Sequence, residues 1–286
     1  MKIKVGLAQL KPSLGDLERN LELHLSLIKR AKSDKLDLIV FPELSLTGYF
    51  LKDMVPVVSL DLQASIIEKL KQESKGISII FGFVEESENH EFYNSAAYLE
   101  DGRVIKVHRK VYLPTYGMFD EQRYFGSGER IRAFETKFGR VGILICEDAW
   151  HPSTSYILAE DGAKLVFFLS SSPARGIREG EQIGSAQIWE RINRTTAFSY
   201  SLYVVSVNRV GYEDGVNFWG GSEIIGPDGQ VVVKGEYLQE GFLSETLDLG
   251  KVRRARMYTP LLRDEKLYLT LRELERIYEQ RVANQP

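Results

Sequence analysis

A single cysteine, Cys146, and only four histidines occur among the 286 residues. One thiol excludes a disulfide within the chain. With no second cysteine and no His-Glu-x-x-His pattern, the usual zinc-ligand spacings are missing too. Phosphate-cradling G-x-G-x-x-G and G-x-x-x-x-G-K-[ST] loops do not occur, nor does a G-x-S-x-G elbow. No run approaches the roughly 20 apolar residues of a membrane span. The opening MKIKVGLAQLKPSLGD lacks the apolar stretch of a signal peptide. Long basic runs are absent and net charge is −3, so neither a nucleic-acid nor a membrane partner is expected. Asn193-Arg194-Thr195 matches a glycosylation sequon, which means little without secretion. The expectation is a soluble cytoplasmic protein.

What is present is a 43% hydrophobic share, enough for a large core, in a chain whose length suits one α/β domain. Lys2 to Ala8 alternates like a strand. Leu17, Leu21, Leu25 and Ile28 recur at helical spacing after Gly15-Asp16. Asp37 to Phe41 and Ile77 to Phe83 read as buried strands around a helix near Leu62 to Gln72. Tyr93 to Leu99 and Arg103 to Val107 flank a hairpin turn at Glu100-Asp101-Gly102. Val141 to Ile145 is an apolar strand ending at Cys146, and Ser153 is placed to cap a helix reaching Asp161. Strand Lys164 to Leu169, a helix near Ile183 to Ser201, strand Tyr203 to Asn208 and a hairpin over Ser222 to Lys234 follow. This alternation is an α/β signature. The tail places Leu267, Leu271, Leu274 and Tyr278 on one helical face, free to fold back or to pack on another subunit. The division expected is a domain over 1–255 and a C-terminal extension over 256–286.

Three strand ends carry reactive side chains. Cys146 sits where α/β sheets place their sites; it is either a small buried hydrophobe or a nucleophile in need of a partner. Histidine offers no clear one: His24 reads as part of a surface helix, His90 lies in a charged loop, and His151 is badly placed. His108 shares a strand face with Lys110, without a supporting pattern. Glu43, after Asp37-Leu-Ile-Val-Phe41 and Pro42, is a solvated loop residue or a desolvated base with a raised pKa. Lys110, before Val111-Tyr112-Leu113-Pro114, is a surface charge or the third member of a site.

Together the segments Phe41-Pro42-Glu43, Lys110-Val111-Tyr112-Leu113-Pro114 and Gly142-Ile-Leu-Ile-Cys146-Glu147-Asp148 resemble the nitrilase superfamily of carbon–nitrogen hydrolases. Asn208-Arg-Val-Gly211 and Gly220-Gly-Ser222 look like the family's as well, so the resemblance spans roughly Lys2 to Asp248. Within the family, Glu43 to Tyr49, Tyr112 to Phe125, Cys146 to Trp150 and Ser171-Ser172-Pro173 are most similar to the glutaminase domain of glutamine-dependent NAD synthetase. The chain departs from it in having no ATP loop of the SGGxDS type, and Ala174 to Arg194 looks more like the stand-alone amidases.

The resemblance implies a four-layer αββα sandwich and a Glu43, Lys110, Cys146 triad. Cys146 would attack a carboxamide carbon, and Glu43 would move protons. Lys110 would favour the thiolate and stabilise the oxyanion with the backbone N–H of Glu147. Glu121 matches a second glutamate that positions the lysine and the substrate, against the plainer reading of a loop charge. Tyr116 and Trp150 would line the pocket or merely pack, and Ser172 would touch a substrate carboxylate or amine. No metal or organic cofactor is called for. Partners implied are a small amide substrate, a second copy in a homo-oligomer such as a dimer, and an ammonia-accepting synthetase. Nitrile or N-carbamoyl substrates, or a non-catalytic ammonia-channelling module, are the alternatives.

Overall fold

The computed structural model describes residues 1–176 and 183–283. In chain order the strands are β1 (Lys2–Gln9), β2 (Leu38–Val40), β3 (Ser78–Glu86), β4 (Phe92–Glu100), β5 (Arg103–Arg109), β6 (Phe134–Thr136) and β7 (Gly139–Ile145). They continue with β8 (Leu165–Ser170), β9 (Tyr203–Asn208), β10 (Val210–Glu213), β11 (Val216–Trp219), β12 (Glu223–Ile225), β13 (Val231–Lys234) and β14 (Gly241–Asp248). The helices are α1 (Leu17–Ser33), α2 (Val55–Val58), α3 (Ser65–Glu73), α4 (Pro152–Glu160), α5 (Gly184–Tyr200), α6 (Gly250–Tyr258), α7 (Leu261–Asp264) and α8 (Leu267–Ala283).

Two six-stranded sheets carry the fold, ordered β14-β1-β2-β3-β4-β5 and β13-β12-β9-β8-β7-β6, with β10 and β11 as a separate hairpin. Each sheet has a parallel centre, β1-β2-β3 in one and β7-β8-β9 in the other, and antiparallel flanks. The period-2 alternation of the strands sets the layers. Ile3, Val5, Leu7, Leu38, Val40 and Ile80 of the first sheet meet Val141, Ile143, Ile145, Phe167, Leu169, Val205 and Val207 of the second in one buried core. The alternate residues point outward. Ile39, Ile79, Phe81 and Phe83 pack on Leu21 and Ile28 of α1 and Ile67 and Leu70 of α3. Leu144, Val166, Phe168 and Val204 pack on Leu158 of α4 and on Ala186, Trp189 and Ala197 of α5. Helix, sheet, sheet, helix is the expected αββα sandwich. Strands buried on both faces explain why their sequences are apolar runs. Truncating a ring such as Phe167 would cost about 3–5 kcal/mol.

Several local expectations change. α1 starts where anticipated, with the Asp16 side chain accepting from Arg19 N. His24 in that helix is fully buried, however, stacked on Phe41 at 4.0 Å and bonded through Nε2 to Ser45 Oγ at 2.9 Å. Ser153 does not cap α4: Pro152 opens the helix and His151 precedes it, as suits a proline with no N–H to satisfy. Asn193 of the sequon is buried in α5 and donates to Glu223 at 2.8 Å. In α8 the stripe of Leu267, Leu271, Leu274 and Tyr278 is 42 to 69% exposed, so it has not folded onto the described core. Among the described residues no helix is long and apolar enough to cross a membrane.

Candidate active site

The parallel centres of both sheets bring their carboxyl ends to one edge of the sandwich, as open α/β sheets do. β2 delivers Glu43, β7 delivers Cys146, β8 delivers Ser171 and Ser172, and β9 ends at Asn208. β5 adds Lys110 as the residue just past its last ladder position.

Glycine permits two of these approaches. A β-carbon on Gly82 in β3 would fall 2.3 Å from Leu44 N and 2.9 Å from the Glu43 carbonyl carbon. One on Gly128 would fall 2.2 Å from Arg109 O, beside the bond from Gly128 N to Lys110 O at 2.7 Å. Cys146 opens a short turn over Cys146–Trp150 with φ at +44, a left-handed conformation that non-glycine residues rarely adopt. Such strain is held only where the surroundings over-determine it.

Lys110 is fully buried, and its Nζ donates to Glu43 Oε1 at 2.8 Å and to Glu121 Oε1 at 2.7 Å. Asn94 Nδ2 donates to the same Glu43 oxygen at 2.8 Å, while Glu43 Oε2 accepts from Ser171 N at 2.6 Å. Tyr49 OH donates to Glu121 Oε1 at 2.5 Å. Two carboxylates around one ammonium, all shielded from solvent, decide the electrostatics. Burial alone would lower the Lys110 ammonium, but Glu121 and Glu43 hold it well above the ordinary lysine range. Glu121 is pushed up to about 7 by burial, against the pull of Lys110 and with Glu43 adding to the rise.

Cys146 feels the same groups. Burial and the charge of Glu43 raise its thiol well above the ordinary value, and Lys110 only partly opposes them. The lysine thus favours the thiolate, as the resemblance implies, but burial and the charge of Glu43 outweigh it.

Glu121 is buried against Lys110, so the plainer reading as a loop charge does not hold for its side chain. Tyr116 is half exposed, and its OH donates to both Glu147 carboxylate oxygens at 3.0 Å. Partial burial and Glu147 push its phenol up to about 12. Trp150 meets Trp189 edge-on at 5.9 Å. Ser172 is buried: its N donates to Asn208 Oδ1 at 2.8 Å, and its Oγ accepts from Trp189 Nε1 at 3.0 Å. Of the 174–194 stretch singled out in the sequence, residues 177–182 lie outside the described residues.

His108 pairs with Asp148, not with Cys146: its Nε2 lies 2.8 Å from Asp148 Oδ2. His151 stacks on Tyr112 at 3.6 Å. Sequence reading missed Asn94 and gave no role to Tyr49, Ser171 and Asp148, although all three lie in the stretches that carry the resemblance. Asp148 lay in the quoted Cys-Glu-Asp stretch, but nothing in one sequence tells a buried acceptor from a solvated acid.

Two face-to-face sheets with this strand-end site define a class, and residues 4–257 match the family described as carbon-nitrogen hydrolase. The chain belongs to that family and is a carbon–nitrogen hydrolase. Among its relatives is the glutamine-dependent NAD(+) synthetase of Thermotoga maritima, 34% identical over 265 residues, 91% of this chain but 44% of that protein. A probable nitrilase of Schizosaccharomyces pombe is 30% identical over 275 residues, 91% of this chain and 94% of the relative. The crystal structure of a carbon-nitrogen hydrolase from Helicobacter pylori G27 superposes with a TM-score of 0.82 at 24% identity, over 96% of this chain and 99% of that one. The chain thus spans less than half the length of the synthetase it resembles.

Proposed function

We propose that the protein is an amidase that cleaves a small carboxamide to the acid and ammonia through a thioester on Cys146. The observation that carries this reading is Lys110 Nζ held between Glu43 and Glu121 at 2.8 and 2.7 Å, at the strand ends that also present the thiol. Glu43 accepts the thiol proton as sulfur attacks the carboxamide carbon. Negative charge gathers on the former carbonyl oxygen, where the Lys110 ammonium and the N–H of Glu147 stabilise it; such donors contribute about 3 kcal/mol each. Collapse breaks the C–N bond, and the nitrogen leaves as ammonia carrying the proton from Glu43. Glu43 then takes a proton from water, whose oxygen attacks the thioester. The second collapse releases the acid and returns the proton to sulfur. None of these steps calls for a metal or organic cofactor.

In this reading Glu121 orients Lys110 and the substrate amide. Tyr116, Glu147, Trp150 and Ser172 line the substrate pocket. Similarity to the synthetase relatives favours glutamine as the amide and, as a second reading, ammonia delivery to a separate synthetase. A cytoplasmic location would keep the single thiol reduced. The bare apolar stripe of α8, in the extension from residue 256, supports a homo-oligomer, which light scattering on the purified protein would test.

The experiment is incubation with glutamine, asparagine, ω-amides, nitriles and N-carbamoyl amino acids, followed by ammonia release and intact-protein mass. An acyl adduct on Cys146 from an amide supports the proposal, and its mass names the acyl group. Turnover of nitriles or carbamoyl compounds alone would overturn the amidase reading. Activity appearing only with an added ATP-dependent synthetase would favour the ammonia-donor reading.

A further inference from the structure

We propose that Asp148 is a positioning residue of this hydrolase, locking the turn that carries Lys110 to the turn that carries Cys146. The inference rests on the reading of Glu43, Lys110 and Cys146 given above.

Lys110 hangs from the first sheet and Cys146 from the second. Between the sheets lies an apolar core, whose attraction is non-directional and does not fix how one sheet sits against the other to a fraction of an ångström. Asp148, fully buried, supplies directional contacts across that gap. Its Oδ1 accepts from Val111 N and Tyr112 N, both at 2.9 Å, the two N–H groups just after Lys110. Its Oδ2 accepts from Ile145 N at 3.0 Å, the N–H just before Cys146, and from His108 Nε2 at 2.8 Å. Since the carboxylate only accepts, Nε2 is the nitrogen of His108 that carries the proton. The four donors fill the four lone-pair directions of the carboxylate. No acceptor capacity remains for substrate or water, so Asp148 acts by position and not as an acid or base. Its contacts also brace the turn in which Cys146 has its left-handed backbone.

The test compares Asp148→Asn, His108→Leu and His108→Gln with the wild type. The readouts are the rate at which iodoacetamide alkylates Cys146, the pH at which that rate is half its limit, and kcat and KM for L-glutamine. With a single cysteine in the chain, alkylation reports one atom. Asp148→Asn keeps the shape but can accept at only one of its two terminal atoms. The expected result is a fall of about 10- to 100-fold in alkylation rate and kcat, a shifted alkylation midpoint, and KM within about threefold. His108→Gln, which retains a donor, is expected to stay within about threefold of wild type while His108→Leu is not. The histidine pair carries the test if Asp148→Asn does not fold.

Glu100→Gln is the control for lost stability alone. It alters another buried carboxylate, bonded to Ser78 and Tyr98, that touches neither turn. If Asp148→Asn or His108→Leu loses stability like Glu100→Gln but alkylates Cys146 at the wild-type rate and midpoint, the proposal is overturned. If complete alkylation of Cys146 leaves wild-type activity intact, the reading of the site fails first and takes this proposal with it.

Discussion

Gly82 lies under the backbone of Glu43 so closely that a methyl group has no room: the nearest atoms of the 42–44 segment would be 2.3 to 2.9 Å away. All of them are backbone atoms, which cannot swing aside as a side-chain end can. Gly82→Ala is therefore expected to displace the Glu43 turn. Overpacking of this kind costs about 1–3 kcal/mol of stability. The larger effect falls on turnover, because a shift near 1 Å at the proton acceptor is worth about 100-fold. Urea unfolding and steady-state kinetics check both, and a variant of wild-type kcat would argue against Glu43 as the base.

Lys110→Met should be costlier. It leaves Glu43 and Glu121, both buried, without their shared cation. Breaking a buried pair in this way costs about 3–5 kcal/mol. The loss has a sign in pH: Lys110 opposes the rise of Glu121, so without the ammonium that carboxyl holds its proton more tightly still in the folded chain. The variant is then least unstable in acid and loses stability as pH rises through the raised folded value of Glu121. Unfolding at pH 5 and pH 8 should show the larger deficit at pH 8. Equal deficits would mean that the charges were not the issue.

Glu121 titrates near 7, so the number of charged acceptors around Lys110 changes across neutral pH. Below that value Lys110 keeps Glu43 and loses the charge of Glu121. We expect kcat/KM to fall on the acid side with an inflection near pH 7, and Glu121→Gln to lack that inflection at a lower plateau. Persistence of the inflection in the variant would assign it elsewhere.

His24 predicts acid sensitivity of the fold. Burial lowers its pKa from 6.5 to about 4, only partly opposed by its bond to Asn20 O. The unfolded chain therefore takes up this proton first as pH falls, and stability present above 6.5 is lost between 6.5 and 4. The full effect is about 3 kcal/mol at 1.36 kcal/mol per pKa unit. His24→Met should be less stable at pH 7 but show a shallower decline toward pH 4 in thermal melts. A slope as steep as that of the wild type would place the sensitivity at other groups.

Much of this architecture is legible in the chain. Buried strands such as Leu165–Ser170 announce themselves as apolar runs, and the reactive residues are their immediate neighbours, so Glu43, Lys110 and Cys146 stand out. The pairing of the sheets was not readable from pattern, because it depends on contacts between distant segments; the family resemblance supplied it. β14 escaped notice because Phe242, Leu243 and Leu247 are the only large apolar residues in Gly241–Asp248, too few to read as a buried run. His24 was misread since a histidine on an amphipathic helix looks like the polar side, and only the fold shows Ser45 and Phe41 waiting for it. Asp148 gathers donors from two stretches of chain, His108 to Tyr112 and its own turn at Ile145, a convergence that the sequence alone does not show.

The first strand of the sequence is covered on one edge by the last. Lys2 pairs with Asp248 and Gln9 with Gly241, eight residues in unbroken antiparallel register. During synthesis, then, the ribosome must emit the chain as far as Asp248 before β1 gains that neighbour along its full length. Until it does, the nascent protein carries an open strand edge, the kind of surface on which unfinished chains join one another. Slow translation between β1 and β14 would prolong that exposure, and chaperone demand should track it.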